Sequence, residues 1–267
     1  MADMLTQIID DKRRQVAAAK QRVPLDQIRA HAADQPRPRN FFAAVTQPAG
    51  ELRVIAEIKK ASPSAGVIRQ DFDPVVIARA YHANGAAAIS CLTDEKYFQG
   101  SLDYIGQIKQ AVPLPVLRKD FLIDPYQVYE SRAAGADAIL LIAECLDGEA
   151  HLLDMLILAT ELKMTCLIEV HDVENLLKVR PHLGFPHPSY ALLGINNRDL
   201  TTMTTDISHT LRMLAMVDDV SIVVSESGIR TRADVQRLAA AGVHRILVGE
   251  HLMRQADPGA ALRALMG

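Results

Sequence analysis

Lysines and glutamates stand at the ends of short aliphatic runs in this chain, where they could move protons. Residues 54–66 read V-I-A-E-I-K-K-A-S-P-S-A-G, an apolar run that alternates like a strand. It ends in Glu57, Lys59 and Lys60, then breaks at a turn cluster containing Ser62. Charges at the end of a buried strand are costly unless they meet each other or a ligand. The pattern returns downstream: Lys119 follows P-L-P-V-L-R, Glu169 closes T-C-L-I-E, Asn196 and Arg198 follow A-L-L-G-I, and Glu226 lies in S-E-S-G. Gathered at one mouth, such groups suit general acid and base work, with pKa values perturbed by burial and proximity. Lys119, desolvated and flanked by Lys59, is expected to lose a proton more easily than a free lysine. An ion pair with Asp120 is the competing reading for it. Glu169 suits a base or a partner for a barrel lysine. His171 is expected to be a neutral residue helping to begin the next helix. No histidine has a second ligand at metal spacing, so no metal is expected. S-E-S-G-I-R at 225–230 and V-G-E-H at 248–251 suggest a phosphate site. Gly228 and Gly249 allow close backbone approach, Ser227 adds a hydroxyl, and Glu250 is expected to turn away.

The elements that must position these groups follow a rhythm. Strands are predicted near 53–58, 86–91, 114–118, 137–142, 165–170, 190–195, 221–225 and 244–248. Helices are predicted over 73–83, 101–111, 124–134, 147–163, 172–180, 206–216, 231–240 and 258–266. An internal echo, N-G-A-A-A-I-S, A-G-A-D-A-I-L and A-G-V-H-R-I-L, puts a helix-ending glycine at 85, 135 and 242. Eight alternating units predict an α/β fold, a single (β/α)8 TIM barrel whose chemistry lies at the C-terminal strand ends. An open doubly wound sheet fits less well, because no G-x-G-x-x-G follows the first strand. The domain organisation expected is one barrel domain over 1–267, with 1–50 a helical extension and 51–267 the barrel. In the extension, residues 4–20 carry Leu5, Ile8, Ile9 and Val16 on one side and Asp10, Lys12, Arg13 and Arg14 opposite. A dimer face, a cap over a barrel end and a lid are all open for it.

Composition narrows the function classes. Of 267 residues 49% are hydrophobic and 4% aromatic, which supports a large aliphatic core. A net charge of -3 argues against a nucleic-acid binder. The three cysteines form no C-x-x-C pair, which fits a cytoplasmic protein without disulfides or zinc. No signal peptide or apolar run of membrane-spanning length is read, so no membrane partner is expected. Monomer and homodimer are both open.

The ordered set I-A-E-I-K-K-A-S-P-S, L-T-D-E-K-Y-F-Q-G, R-K-D-F, L-I-E-V-H, G-I-N-N-R-D-L, S-E-S-G-I and L-V-G-E-H-L-M resembles the indole-3-glycerol-phosphate synthase family over essentially the whole chain. That resemblance implies a barrel lyase of tryptophan biosynthesis without metal or organic cofactor. It would close the indole ring of a phosphorylated small molecule, 1-(2-carboxyphenylamino)-1-deoxyribulose 5-phosphate, with loss of carbon dioxide and water. It implies Lys119 as general acid, Glu169 as general base, Lys59 as a substrate-binding cation and Glu57 as their positioner. Ser62, Asn196, Arg198 and Glu226 would bind substrate, with Phe98 and Phe121 a wall for the anthranilate ring. Ser227, Gly228, Gly249 and Glu250 would hold phosphate, Glu250 through its backbone N–H. Two departures are Ala61 or Ala65, where many relatives have lysine, and the weakly acidic T-T-M-T-T-D run after Leu200. Rival readings are another phosphate-binding barrel enzyme and a non-catalytic barrel partner in a tryptophan-pathway complex, which would be expected to lose Lys119 or Glu169.

Overall fold

The computed structural model describes residues 4–199, 202 and 204–267, so the weakly acidic run at 201–206 lies partly outside the described residues. Eight parallel strands close into a barrel in sequence order: β1 (Arg53–Ile58), β2 (Ala88–Leu92), β3 (Val116–Lys119), β4 (Ala138–Ile142), β5 (Thr165–Val170), β6 (Ala191–Asn196), β7 (Val223–Glu226) and β8 (Arg245–Val248). Closure comes from β1 pairing with both β2 and β8. The helices that follow the strands include α4 (Pro74–Ala83), α6 (Asp103–Ala111), α7 (Pro125–Ala133), α8 (Glu149–Glu161), α9 (Val173–Val179), α10 (Ser208–Met213), α11 (Arg232–Ala240) and, after the last strand, α13 (Pro258–Met266). Asp73, Asp124 and Asp257 cap three of them, each ahead of a proline at the first turn, where its missing N–H costs nothing. Gly85, Gly135 and Gly242 have φ of 88°, 90° and 86°, the left-handed turn expected where a helix hands over to a strand.

Strand alternation divides the core in two. Val54, Ala56 and Ile58 of β1 face outward into the layer under the helices, with Ile89, Cys91, Ile139, Leu141, Cys166 and Ile168. Ile55 belongs to the inner cluster with Ala88, Leu117, Leu140, Leu167, Leu192, Val224 and Leu247. Following the inner parity upward from Ile55 leads to Glu57, from Leu117 to Lys119, from Leu167 to Glu169 and from Val224 to Glu226.

The segment before the barrel reaches both ends of it. In α3 (Phe41–Thr46), Phe41 and Val45 are fully buried and plug the N-terminal end of the inner cluster. Arg39 holds that closure by donating to the carbonyls of Val112, Leu114 and Lys109. Helix α2 (Leu25–Asp34) and the second half of α1 (Met4–Arg22) pack on α7, through Val16, Ala19, Ile28 and Tyr126. The first half of α1 arrives at the opposite, C-terminal end. There Leu5 and Ile9 lie against the inner cluster beside Phe121 and Ile123. Lys12, read from sequence on the solvent side, is 4% exposed. Its ammonium sits 2.7 Å from Asp94 and 2.7 Å from Asp120, carboxylates that follow β2 and β3. Asp11 binds Lys96 and Tyr97 of the short helix α5 (Glu95–Phe98), an element the periodicity did not reveal. No helix of the described residues is long and apolar enough to cross a membrane.

Candidate active site

Four inward side chains meet at the C-terminal mouth. Lys119 Nζ lies 2.7 Å from Glu169 Oε2 and 3.6 Å from Glu226 Oε2. Asn196 Nδ2 donates to Glu169 Oε1 at 3.1 Å. A second lysine–glutamate pair stands at the end of β1, where Lys59 Nζ is 2.6 Å from Glu57 Oε1. Glu57, Glu169, Glu226 and Asn196 are buried, so little water screens these contacts.

Burial alone would strip Lys119 of its charge. The carboxylates of Glu169, Glu226 and Glu57 outweigh it and hold the lysine well above the ordinary range, the reverse of the easily lost proton expected from sequence. Nor does Lys119 pair with Asp120. Asp120 points the other way, to Arg118, Lys12 and Thr93. Burial raises Glu169, yet Lys119 and His171 win and bring it to about 2, so it is a carboxylate. Burial and the neighbouring Glu169 push Glu226 well above the ordinary carboxylate range, so a proton resides there. Two adjacent carboxyl groups thus take opposite states, as like charges in a dry site require.

Two glycines make room for these carboxylates. A Cβ on Gly249 would fall 2.1 Å from Glu57 Oε1, and one on Gly194 would fall 2.2 Å from Glu226 Oε1. Gly249 was singled out for backbone approach to an anion, but its Cα faces Glu57. Gly194 went unremarked, because a glycine inside an apolar strand gives no sign of which neighbour needs its space.

The remaining predicted residues form a rim. Phe98 of α5 and Phe121 after β3 pack at 6.2 Å between ring centroids. Ser62 ends the first strand of a small antiparallel ribbon, Ala61–Ser62 against Gly66–Val67, and its hydroxyl accepts from the Ala65 N–H at 3.2 Å. Ser227 and Gly228 take successive positive φ values, 67° and 77°. Left-handed backbone is costly for serine, and Asn197 supports it. Its side chain donates to the Ser227 carbonyl and the Ser225 hydroxyl and accepts from Thr210. Gly249 leads into the four-residue helix α12 (Glu250–Met253). The Glu250 carboxylate is held by Arg254 and lies 3.3 Å from Arg198 Nη2, which ties the loop after β6 to the start of α12.

Three further side chains contribute to the mouth in ways their sequence positions did not indicate. Lys12 was hidden by its place among charged neighbours on α1. His171 does not simply start a helix: its ring lies between Glu169 and Glu144, and Asp172 is the cap of α9. Glu144 follows β4 and carried no sequence signal of its own. The mouth as a whole holds a protonated lysine against a buried carboxylate, with a second cation, a neutral acid and a polar loop rim around them. Such a site can donate and accept protons on a bound anionic molecule.

Comparison with known proteins gives one answer from sequence and a coarser one from shape. The family model described as indole-3-glycerol phosphate synthase matches residues 5–265. A protein of that name from Rhodospirillum rubrum is 49% identical over 269 residues, covering 100% of both chains. One from Rhodopirellula baltica is 51% identical over 263 residues, covering 97% of this chain and 98% of its own. Among solved structures, 3-hexulose-6-phosphate synthase from Salmonella typhimurium superposes with a TM-score of 0.62 at 16% identity, over 80% of this chain and 97% of that one. At that identity it shows the barrel fold alone.

Proposed function

The chain belongs to the indole-3-glycerol phosphate synthase family and catalyses that family's ring closure, and we propose that Lys119 and Glu169 are the acid and base that carry it. The reaction takes 1-(2-carboxyphenylamino)-1-deoxyribulose 5-phosphate to indole-3-glycerol phosphate, carbon dioxide and water. The ring carbon bearing the carboxylate attacks the ketone, whose oxygen becomes an alkoxide. A lysine whose charge is held this firmly is a poor acid toward a ketone and a good one toward that alkoxide, so Lys119 donates as the bond forms. Loss of carbon dioxide restores the aromatic ring. The hydroxyl then leaves as water, and Glu169 takes the C–H proton whose loss completes the indole. Lys119 and Glu169 lie 2.7 Å apart, so a proton accepted by one can reload the other. This contact is the observation that carries the assignment.

Lys59 is read as the cation facing the substrate carboxylate, held by Glu57, with Glu226 as a neutral hydrogen-bonding wall beside Glu169. Phe98 and Phe121 are read as the face against the aromatic ring, and Ser62, Asn196 and Arg198 as its polar contacts. The backbone at Ser227, Gly228, Gly249 and Glu250 is read as the phosphate cradle, where loop N–H groups after β7 and β8 can point at an anion. We take residues 1–50 and 51–267 to form one domain, since α3 and the barrel share a core. The three buried thiols, Cys91, Cys145 and Cys166, fit a cytoplasmic enzyme. Adding the substrate and following indole fluorescence tests the reading. Turnover by Lys119→Ala at the wild-type rate would remove Lys119 from the mechanism.

A further inference from the structure

Glu169 has a third neighbour that the mechanism above does not use. His171 sets Nε2 3.3 Å from Glu169 Oε1 and Nδ1 3.3 Å from Glu144 Oε1. Its backbone N–H donates to the same Glu144 oxygen at 3.0 Å, which fixes the loop so that the ring stays between the two carboxylates. Side-chain exposure rises along the row, from 3% at Glu169 through 9% at His171 to 15% at Glu144, so the row leads outward from the barrel interior. An imidazole between two carboxylates is favoured in its charged form and can release the proton on the nitrogen that faces Glu169.

Ring closure needs such a donor. The departing water requires two protons, the substrate's own C–H supplies one, and the other must be held by a protonated group of the protein and restored from solvent after each turnover. We propose that His171, bridging Glu144 and Glu169, is a positioning and relay residue that delivers this proton to the Lys119–Glu169 pair. After Lys119 has protonated the alkoxide it is neutral. The imidazolium then gives its Nε2 proton to Glu169 Oε1, and the resulting carboxyl turns about its Cγ–Cδ bond to present that same proton to Lys119. Lys119 donates again to the leaving hydroxyl, and Glu169 takes the C–H proton and returns it to Lys119. His171, left neutral with its remaining proton on Nδ1 toward Glu144, regains one at Nε2 from solvent when product leaves the mouth. One proton enters per turnover and each group ends as it began. The inference rests on the assignment of Lys119 and Glu169.

The groups facing the imidazole are Glu144 after β4, Glu169 on β5, Lys119 on β3 and His209 on α10. Burial opposes its charge and so does Lys119, but Glu144 and Glu169 prevail and raise it above its ordinary 6.5. Burial and nearby Arg212 shift His209 downward, so it stays neutral at pH 7.

The test follows kcat across about pH 5 to 9 for wild type, His171→Ala and Glu144→Gln, with Glu169→Gln as reference. His171→Ala should lose about tenfold or more in kcat at neutral pH, with KM and melting temperature retained and activity partly restored by added imidazole. Glu144→Gln removes a carboxylate that favours the imidazolium, so the alkaline fall of kcat should move to lower pH. A kcat unchanged in both variants, or profiles parallel to wild type with no response to imidazole, would overturn the relay. If His171→Ala does not fold, the Glu144→Gln profile decides alone. An active Glu169→Gln would overturn the base assignment and the relay with it, which separates that failure from loss of the relay by itself.

Discussion

Glu226 shows how a single proton is placed in this mouth. Its neighbour Glu169 has Lys119 at 2.7 Å, Asn196 and His171, whereas Glu226 has the same lysine only at 3.6 Å. The negative charge therefore settles on Glu169 and the proton on Glu226. A group whose folded pKa is raised contributes stability below its unfolded value and loses it as pH climbs toward the folded one. Glutamine imitates the neutral carboxyl, so Glu226→Gln should become progressively more stable than wild type as pH rises from 4.5, the ordinary glutamate value. Melting temperatures of the two proteins across pH check the sign. A difference that stays flat or runs the other way would mean that Glu226 is ionised. No sequence pattern could have told these two glutamates apart. Both close short aliphatic strands, and what separates them is distance to one ammonium group.

At the scale of elements, strands and glycines set the positions of the charges. Gly249 has φ of -126°, which any residue tolerates, so its lack of a side chain answers to Glu57 and not to backbone conformation. Gly249→Ala should displace Glu57, lowering kcat while leaving KM close to wild type, because the backbone N–H groups proposed to bind phosphate keep their places. A KM that rises with kcat unchanged would return Gly249 to a phosphate role alone. The period of two was legible in β1 and β5, and it already placed Glu57, Lys59 and Glu169 at strand ends. The helices α2, α3, α5 and α12 were not legible. Three of these have only four to six residues, too few for a period of 3.6 to emerge. Lys12 escaped for another reason. Buried by partners about a hundred positions away, it looks from its own helix like one more exposed charge.

At the scale of the whole molecule, the N-terminal segment joins both ends of the barrel. It plugs the base with Phe41 and Val45, and it reaches the mouth with Leu5, Ile9 and Lys12. Of the three alternatives open from sequence, dimer face, cap and lid, the segment has contacts at the positions of two, the base and the mouth. Lys12→Met would leave the Asp94 carboxylate unpaired by it, and breaking a buried ion pair costs about 3–5 kcal/mol. Thermal unfolding should show that loss. Turnover should fall as well, because Asp94 caps α5, which carries Phe98, and Asp120 directly follows Lys119. Wild-type stability in Lys12→Met would mean the clamp contributes nothing.

The assignment of Lys119 as the acid is tested most directly by one single-turnover measurement. Excess Lys119→Ala enzyme is mixed with 1-(2-carboxyphenylamino)-1-deoxyribulose 5-phosphate, and anthranilate and indole fluorescence are followed together. Loss of a positioned acid predicts that substrate still binds, seen as a change in anthranilate emission. Indole should then appear about 10²–10⁴-fold more slowly than in wild type. Indole formed at the wild-type rate by this variant would contradict the assignment of Lys119 as the acid.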